Sequence, residues 1–288
     1  MITDYHAKLY ANELLRRYSS DSIERFTAAL MGSQVDINPH QVDAALFAFR
    51  SPLSKGAVLA DEVGLGKTIE AGIVLAQRWA ERNRKILIIL PSSLRKQWHQ
   101  ELQDKFYLLS EILESQNFNK AVKDGILNPF DRKEIVICSY NFARNKKNFI
   151  KAIKWDLVVI DEAHRLRNVY KKSNKIAREL RAALEHVPKL LLTATPLQNS
   201  LLELFGLVSF VDEHTFGDLK IFSKKFARLT SENAFKDLKQ RLKPICKRTL
   251  RRQVLEYIRY TERKAHTQEF VPTKDEEALY NLVSDYLC

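Results

Sequence analysis

Cysteine is scarce and scattered, with Cys138, Cys246 and Cys288 as the whole complement. No Cys-x-x-Cys pair is present to hold zinc and no even set builds a disulfide framework, so a small cross-linked scaffold is excluded and a reducing compartment fits. Long apolar runs are missing as well. Stretches such as Ile86 to Leu90 or Leu190 to Leu192 fall far short of the roughly 20 residues a membrane-spanning helix needs. They read as buried strands, and no membrane partner is expected. Met1 to Tyr10 has no basic segment leading into an apolar core, so no secretory signal is read and a cytoplasmic location is expected. Internal repeats and low-complexity segments are absent, which sets repeat architectures aside.

Acidic residues are outnumbered. Lys and Arg total 47 against 35 Asp and Glu, a formal charge of +12 and a pI near 9.5. That balance favours a polyanionic partner such as nucleic acid, and a merely basic surface is its equal alternative. With 288 residues, 45% of them hydrophobic and 28% charged, the chain can bury one large core or two smaller ones.

Short apolar runs recur at Ala57 to Ala60, Ile86 to Leu90, Ile135 to Cys138, Leu157 to Ile160 and Leu190 to Thr193. Between and beyond them, Thr68 to Glu81, Ser93 to Phe106, Ser173 to His186 and Leu201 to Val211 carry apolar residues at helical spacing. Strands apolar throughout, alternating with helices, predict an α/β fold: a parallel sheet covered by helices on both faces, with ligands beyond the carboxyl ends of the strands. Residues 1–37 read as a helical lead-in, Asp4 to Tyr18 and Asp21 to Met31, and Asn38-Pro39 as the start of a further helix. The α/β lobe is expected over 38–211. After Val211 the strands stop, and 212–288 reads as a Lys- and Arg-rich helical appendage broken at Pro244.

The chemistry gathers behind three of the strands. Val58 to Ala60 runs into Asp61-Glu62-Val63-Gly64-Leu65-Gly66-Lys67-Thr68 and then a helix. Glycines let such a loop curl its N–H groups onto phosphate oxygens, with the helix N-terminus adding partial positive charge. Lys67 is placed for β- and γ-phosphates and Thr68 for Mg²⁺. Asp61 stands where the general motif has glycine. Leu157 to Ile160 ends in Asp161-Glu162-Ala163-His164, where Asp161 suits a second Mg²⁺ ligand and Glu162 the orientation and deprotonation of a water. A ligand-free glycine turn and an acidic helix cap are the plain alternatives for these segments taken singly. Leu190 to Leu192 ends in Thr193-Ala194-Thr195-Pro196, setting hydroxyls where they can sense the water or His164; an ordinary strand-to-turn transition is the alternative there.

Together these segments resemble motifs of superfamily 2 helicases, and their wording resembles the SNF2 family. Motif I matches Leu59 to Thr68, with Asp61 itself a SNF2 trait; motif II, a DEAH box, matches Asp161 to Asn168; motif III matches Leu192 to Asn199. Glu70-Ala71-Gly72 and Ala194 look closer to bacterial RapA-like members. The resemblance implies a RecA-like first lobe with ATP and Mg²⁺ as ligands, bound through Gln41, Asp61, Gly64, Leu65, Gly66, Lys67 and Thr68, with Lys67, Asp161, Glu162 and His164 catalytic and Thr193 and Thr195 coupling. Gln41 matches the family's adenine-reading glutamine, an exposed helix Gln being the alternative. Leu90-Pro91-Ser92-Ser93-Leu94 with Gln97-Trp98 resembles motif Ia and Cys138-Ser139-Tyr140 resembles motif Ib. These imply nucleic-acid backbone contacts at Ser92, Ser93, Arg95, Ser139 and Tyr140, whereas Trp98 reads as a packing residue of its helix. Lys146, Lys147, Lys151 and Lys154 add charge nearby or form a solvated face.

The family's activity is translocation on double-stranded DNA driven by ATP hydrolysis between two lobes. No segment here resembles the Gln-x-x-Gly-Arg-x-x-Arg pattern of the second lobe, so the chain reads as a piece of a longer motor with feeble turnover alone, since such an arginine contributes about 10³ to 10⁵ in rate. A strand-separating helicase, a motor arm of a restriction or phage-defence complex, and a nucleotide-gated scaffold on RNA polymerase are the rival readings.

Overall fold

The computed structural model describes residues 3, 8, 34, 37–50, 56–198, 200–226, 232–257 and 269–287. The expected lead-in helices, but for Lys8, and Asn199 of the third motif lie outside these residues. The chain divides into two compact units, Met1–Gln253 and Val254–Cys288.

The first unit is built on a seven-stranded sheet in the order β3-β4-β2-β5-β6-β1-β7. Its strands are β1 (Gly56–Leu59), β2 (Ile86–Leu90), β3 (Ser110–Ile112), β4 (Ile135–Ser139), β5 (Leu157–Ile160), β6 (Lys189–Leu192) and β7 (Cys246–Lys247). Every pairing is parallel. The four strands read from Ile86, Ile135, Leu157 and Leu190 are buried along their apolar residues, which is what a sheet covered on both faces requires.

Alternation along each strand sorts the core into two layers. Leu87, Ile89, Val136, Cys138, Val158 and Ile160 share a cluster with Phe118, Ile150, Leu180, Phe205 and Val208. These helical partners lie on α4 (Ser115–Lys123), α6 (Lys147–Lys151), α7 (Lys175–Ala183) and α8 (Leu201–Val211), with α5 (Tyr140–Asn145) on the same side. The opposite residues, Ile86, Ile88, Leu90, Ile137 and Val159, pack with Ala44, Ile73, Leu75, Trp98 and Leu102. Those come from α1 (Pro39–Arg50), α2 (Lys67–Ala80) and α3 (Arg95–Phe106). Gly72 of α2 has no room for a side chain, because an added Cβ would lie 2.1 Å from the Phe106 ring. Gly206 likewise lets α8 pass the backbone of Arg167, 1.7 Å from an added Cβ.

One expectation is corrected by the sheet: strands do not stop at Val211. β7 pairs with β1 at Val58↔Cys246 and Leu59↔Lys247. A two-residue strand of Cys and Lys following Pro244 carries no apolar run to read, and its pairing is decided by β1, whose outer edge needs backbone partners. Between α8 and β7, α9 (Leu219–Phe226) and α10 (Glu232–Leu242) form the helical appendage. It is anchored by stacked and tilted contacts among Phe205, Phe216, Phe222 and Phe226, with ring centroids as close as 4.8 Å.

In the second unit, α11 (Lys274–Leu287) starts from a reciprocal cap. The Thr273 amide donates to Glu276 Oε2 at 2.8 Å, and the Glu276 amide to Thr273 Oγ1 at 3.4 Å. Among the described residues no helix is long and apolar enough to cross a membrane.

Candidate nucleotide site

The loop from Asp61 to Gly66 leaves the carboxyl end of β1 and enters α2. Gly64 and Gly66 take φ of 84° and 88°, the left-handed region that glycine enters without cost, and Gly66 is the N-cap of α2. An added Cβ at Gly66 would sit 2.4 Å from Gln41 Nε2. Among the described residues no backbone partner is present for the amides of Gly66, Lys67 and Thr68, the donors that a helix start leaves unused. Lys67 Nζ donates to the carbonyls of Asp61 at 2.9 Å and Glu62 at 3.3 Å, so the cation is held inside the loop's own curl.

Two elements grip this loop from outside. From α1, Gln41 is buried, accepts the Asn38 amide on Oε1 at 3.0 Å and donates from Nε2 to Leu65 O at 3.0 Å. His40 Nε2 lies 2.8 Å from the same carbonyl. From the segment after β7, the Thr249 amide donates to Asp61 Oδ1 at 2.7 Å and the Arg251 amide to Glu62 Oε2 at 2.7 Å. The Arg251 guanidinium donates to Val63 O from Nε at 3.0 Å and from Nη2 at 2.6 Å. His40, Thr249 and Arg251 were not legible as loop residues, because partners up to 189 positions apart leave no local pattern.

Asp61, fully buried, faces Glu70 of α2 beneath the loop. Burial first, and the neighbouring Asp61 charge second, push the Glu70 carboxyl up to about 9. Glu70 is therefore neutral at pH 7, and a protonated oxygen can donate to Asp61. Asp61 thus shapes the loop from below and does not itself line a phosphate surface.

Beyond β5 the two carboxylates diverge. Glu162 adopts φ 51° and ψ 45°, a left-handed turn unusual for a non-glycine residue, and this aims it away from its neighbour. Asp161 stays 8% exposed while the Glu162 side chain is 39% exposed. Asp161 accepts the Trp98 indole N–H on Oδ2 at 2.9 Å and the Glu162 amide on Oδ1 at 2.8 Å. Its backbone carbonyl accepts the Tyr140 hydroxyl at 2.6 Å. Burial raises the Asp161 carboxyl above its ordinary range, against the pull of those N–H donors. His164 Nδ1 lies 3.0 Å from Glu162 Oε2.

β6 lies between β5 and β1, so its end stands between the loop and the carboxylates. Thr193 is buried, donates its amide to Leu59 O at 3.0 Å and accepts the Thr195 amide on Oγ1 at 3.2 Å. Neither hydroxyl is hydrogen-bonded to His164; Thr195 faces solvent. Motifs II and III meet instead through Arg167, whose Nη2 donates to Gln198 Oε1 at 2.8 Å and whose Nε lies 3.5 Å from Glu203 of α8.

The residues expected along a nucleic-acid path divide. Ser92 and Ser93 are exposed in a short 3₁₀ turn (Ser92–Leu94) after β2. Arg95 donates to Ser92 O at 3.1 Å and pairs with Glu114 at 2.9 Å. Ser139 caps α5, accepting the Phe142 amide at 3.3 Å. Tyr140 is a correction: its side chain is 4% exposed and its hydroxyl is turned inward to Asp161, so it does not face a bound backbone. Trp98, 2% exposed, packs as expected and adds the indole bond to Asp161. Lys146 lies over the Phe118 ring at 4.2 Å and Lys147 pairs with Glu179 at 3.1 Å. Lys147 and Lys151, with Lys175 and Arg178, line a groove of about 440 Å³ between α6 and α7.

The fold is that of a known ATPase core. The chain superposes with TM-score 0.63 on the Sulfolobus solfataricus SWI2/SNF2 ATPase core solved in complex with dsDNA, at 24% identity over 76% of this chain. It spans 45% of the length of that protein chain. Residues 7–286 match the SNF2-related domain. A match over nearly the whole chain, with the glycine loop, the acidic pair and the third motif at the ends of β1, β5 and β6, places this protein in the SNF2-related domain family.

Proposed function

We propose that this chain is the ATP-binding lobe of a DNA-dependent ATPase that moves along double-stranded DNA by hydrolysing ATP. The observation that carries the reading is the placement of Lys67 at the start of α2 and of Asp161 and Glu162 beyond β5, with Thr193 between them. Lys67 exchanges its loop carbonyls for the β- and γ-phosphates, which the loop amides also bind. Gln41 keeps one amide hydrogen beyond its bond to Leu65 and offers it to the adenine edge.

Thr68 and Asp161 are the residues that would hold Mg²⁺. The described residues contain no cluster of three His, Cys, Asp or Glu side chains, and Mg²⁺ is commonly held by one or two carboxylates together with substrate phosphates. Held there, the ion would supply charge neutralisation to the phosphates during transfer. Glu162, more exposed than its neighbour, orients the attacking water and takes its proton. His164, whose Nδ1 lies 3.0 Å from Glu162 Oε2 without a hydrogen bond between them, is the neighbour placed to steady that carboxylate. Thr193 and Thr195 stand at the end of β6, between the loop and the carboxylates, and report phosphate state toward α8, which Arg167 joins through Glu203.

Ser92, Ser93, Arg95 and Ser139 stand at the carboxyl ends of β2 and β4 and take the DNA backbone, Arg95 exchanging Glu114 for a phosphate. The lysine- and arginine-lined groove lends charge to the same lobe. Glu70-Ala71-Gly72 and Ala194 are the residues whose wording favours a bacterial RapA-like member. Glu162 is a group that a non-hydrolysing RNA-polymerase scaffold does not need, and the groups described favour no helicase or phage-defence role over translocation.

The test is nucleotide binding followed by turnover. The chain binds MgADP and MgATP, and Lys67→Ala weakens both at least about 10-fold, as loss of a charged contact in a phosphate site does; equal affinity in the variant overturns the phosphate assignment. In a protein extended through a second lobe, duplex DNA stimulates turnover and Glu162→Gln abolishes it, whereas indifference to every nucleic acid overturns the translocase reading.

A further inference from the structure

We infer that Trp98 and Tyr140 are positioning residues that set the orientation of Asp161 toward its metal and tie it to the two segments that line the nucleic-acid path. The inference rests on the reading of Asp161 as the Mg²⁺ ligand.

Asp161 is held at four points. Its amide donates to Ile89 O at 2.9 Å, its carbonyl accepts the Tyr140 hydroxyl at 2.6 Å, and its two carboxylate oxygens accept Glu162 N–H and Trp98 Nε1–H at 2.8 and 2.9 Å. The Glu162 amide, being the next residue's, fixes little beyond the local turn. The long-range side-chain donors are Trp98, 63 positions away, and Tyr140, 21 positions away. An indole N–H donates and never accepts, so it occupies one carboxylate lone pair, as the Glu162 amide occupies another, and each oxygen keeps a lone pair that a metal could take. Both donors are nearly fully buried, where a hydrogen bond is not diluted by competing water. Packing alone does not call for the Tyr140 hydroxyl, since a phenylalanine there fills the same apolar surroundings without the donor, whereas at Trp98 it removes the donor together with part of the buried ring.

The origins of the two side chains give the arrangement its consequence. Trp98 lies three residues along α3 from Arg95, just past the exposed turn of Ser92 and Ser93. Tyr140 follows Ser139 directly at the start of α5. A contact made at either segment therefore reaches Asp161 through one rigid aromatic side chain, its carboxylate through Trp98 and its backbone carbonyl through Tyr140.

The experiment compares wild type, Trp98→Phe, Tyr140→Phe and Lys67→Ala for ADP affinity with Mg²⁺ and with the metal chelated. Removing an outer-shell partner of a metal ligand weakens the metal by about 10-fold or more, so each Phe variant loses that factor in MgADP affinity and keeps its affinity for metal-free ADP. A loss equal in both conditions, or none, overturns the inference; should Trp98→Phe fail to fold, Tyr140→Phe, which removes a single oxygen, decides it. A wild type that binds MgADP no better than metal-free ADP overturns the metal reading itself, and Lys67→Ala separates that result from a failed phosphate site. A short DNA duplex added at low salt shifts the MgADP affinity of the wild type and shifts it less in each Phe variant. An equal shift in all three, or no shift in the wild type, overturns the tie to the nucleic-acid segments.

Discussion

Glu70 sits in the first turn of α2 with both carboxyl oxygens buried against Asp61, and its carboxyl is pushed up to about 9 mainly by burial. In the unfolded chain the same group titrates near 4.5. Folding therefore takes up a proton between those two values, and the protein loses stability as pH rises from about 4.5 through about 9. The slope for one fully linked proton is about 1.4 kcal/mol per pH unit. Glu70→Gln keeps the shape and the donor and removes the titration. Its urea midpoint is expected to stay near that of wild type at about pH 4.5 and to exceed it increasingly from there toward pH 9; a constant difference across that range would show that Glu70 ionises in the folded protein. Asp161 and Glu162 show the same dependence on surroundings at adjacent positions. One left-handed residue leaves one carboxylate inward against the Trp98 indole donor and turns the other outward beside His164.

At the scale of elements, the glycine loop is braced from both sides, by α1 through His40 and Gln41 and by the segment that follows β7. That segment continues β1 outward: Val58, Ala60 and Glu62 donate in turn to the carbonyls of Ile245, Lys247 and Thr249. Arg251 then closes over the loop with two bonds to Val63 O. Because Arg251 is exposed, Arg251→Ala is expected to change global stability by no more than about 0.5 kcal/mol. The Leu65 amide, bonded to Glu62 O at 3.3 Å, should exchange its hydrogen faster in the variant, and MgADP affinity should fall severalfold. Unchanged exchange at Leu65 would remove Arg251 from the account of the loop. The brace also explains why a two-residue strand is kept at the sheet edge: it sets the register in which residues 249–251 meet the loop.

For the whole molecule, a formal charge of +12 gives the sequence-independent attraction that backbone binding uses. Duplex affinity is expected to fall at least about 10-fold between roughly 50 and 200 mM salt if two or more phosphates are neutralised. A flat response in a salt titration would count against the phosphate contacts at Ser92, Ser93, Arg95 and Ser139. Much of this protein was legible as a linear pattern. Unbroken apolar runs marked β2, β4, β5 and β6 as strands buried on both faces, helical spacing marked α2, α3, α7 and α8, and the loop and acidic pair stood at the strand ends where phosphate chemistry belongs. Such patterns are local, because burial is written into side-chain type at a fixed period. Tertiary structure decided the rest: that β7 joins β1, that Asp61 meets Thr249 across 188 positions, that Trp98 is a hydrogen-bond donor as well as a core residue, and that Tyr140 turns inward. A sequence states which groups are apolar and which can donate, but the partner of a buried donor is chosen only when distant segments are packed together and every polar atom must find one.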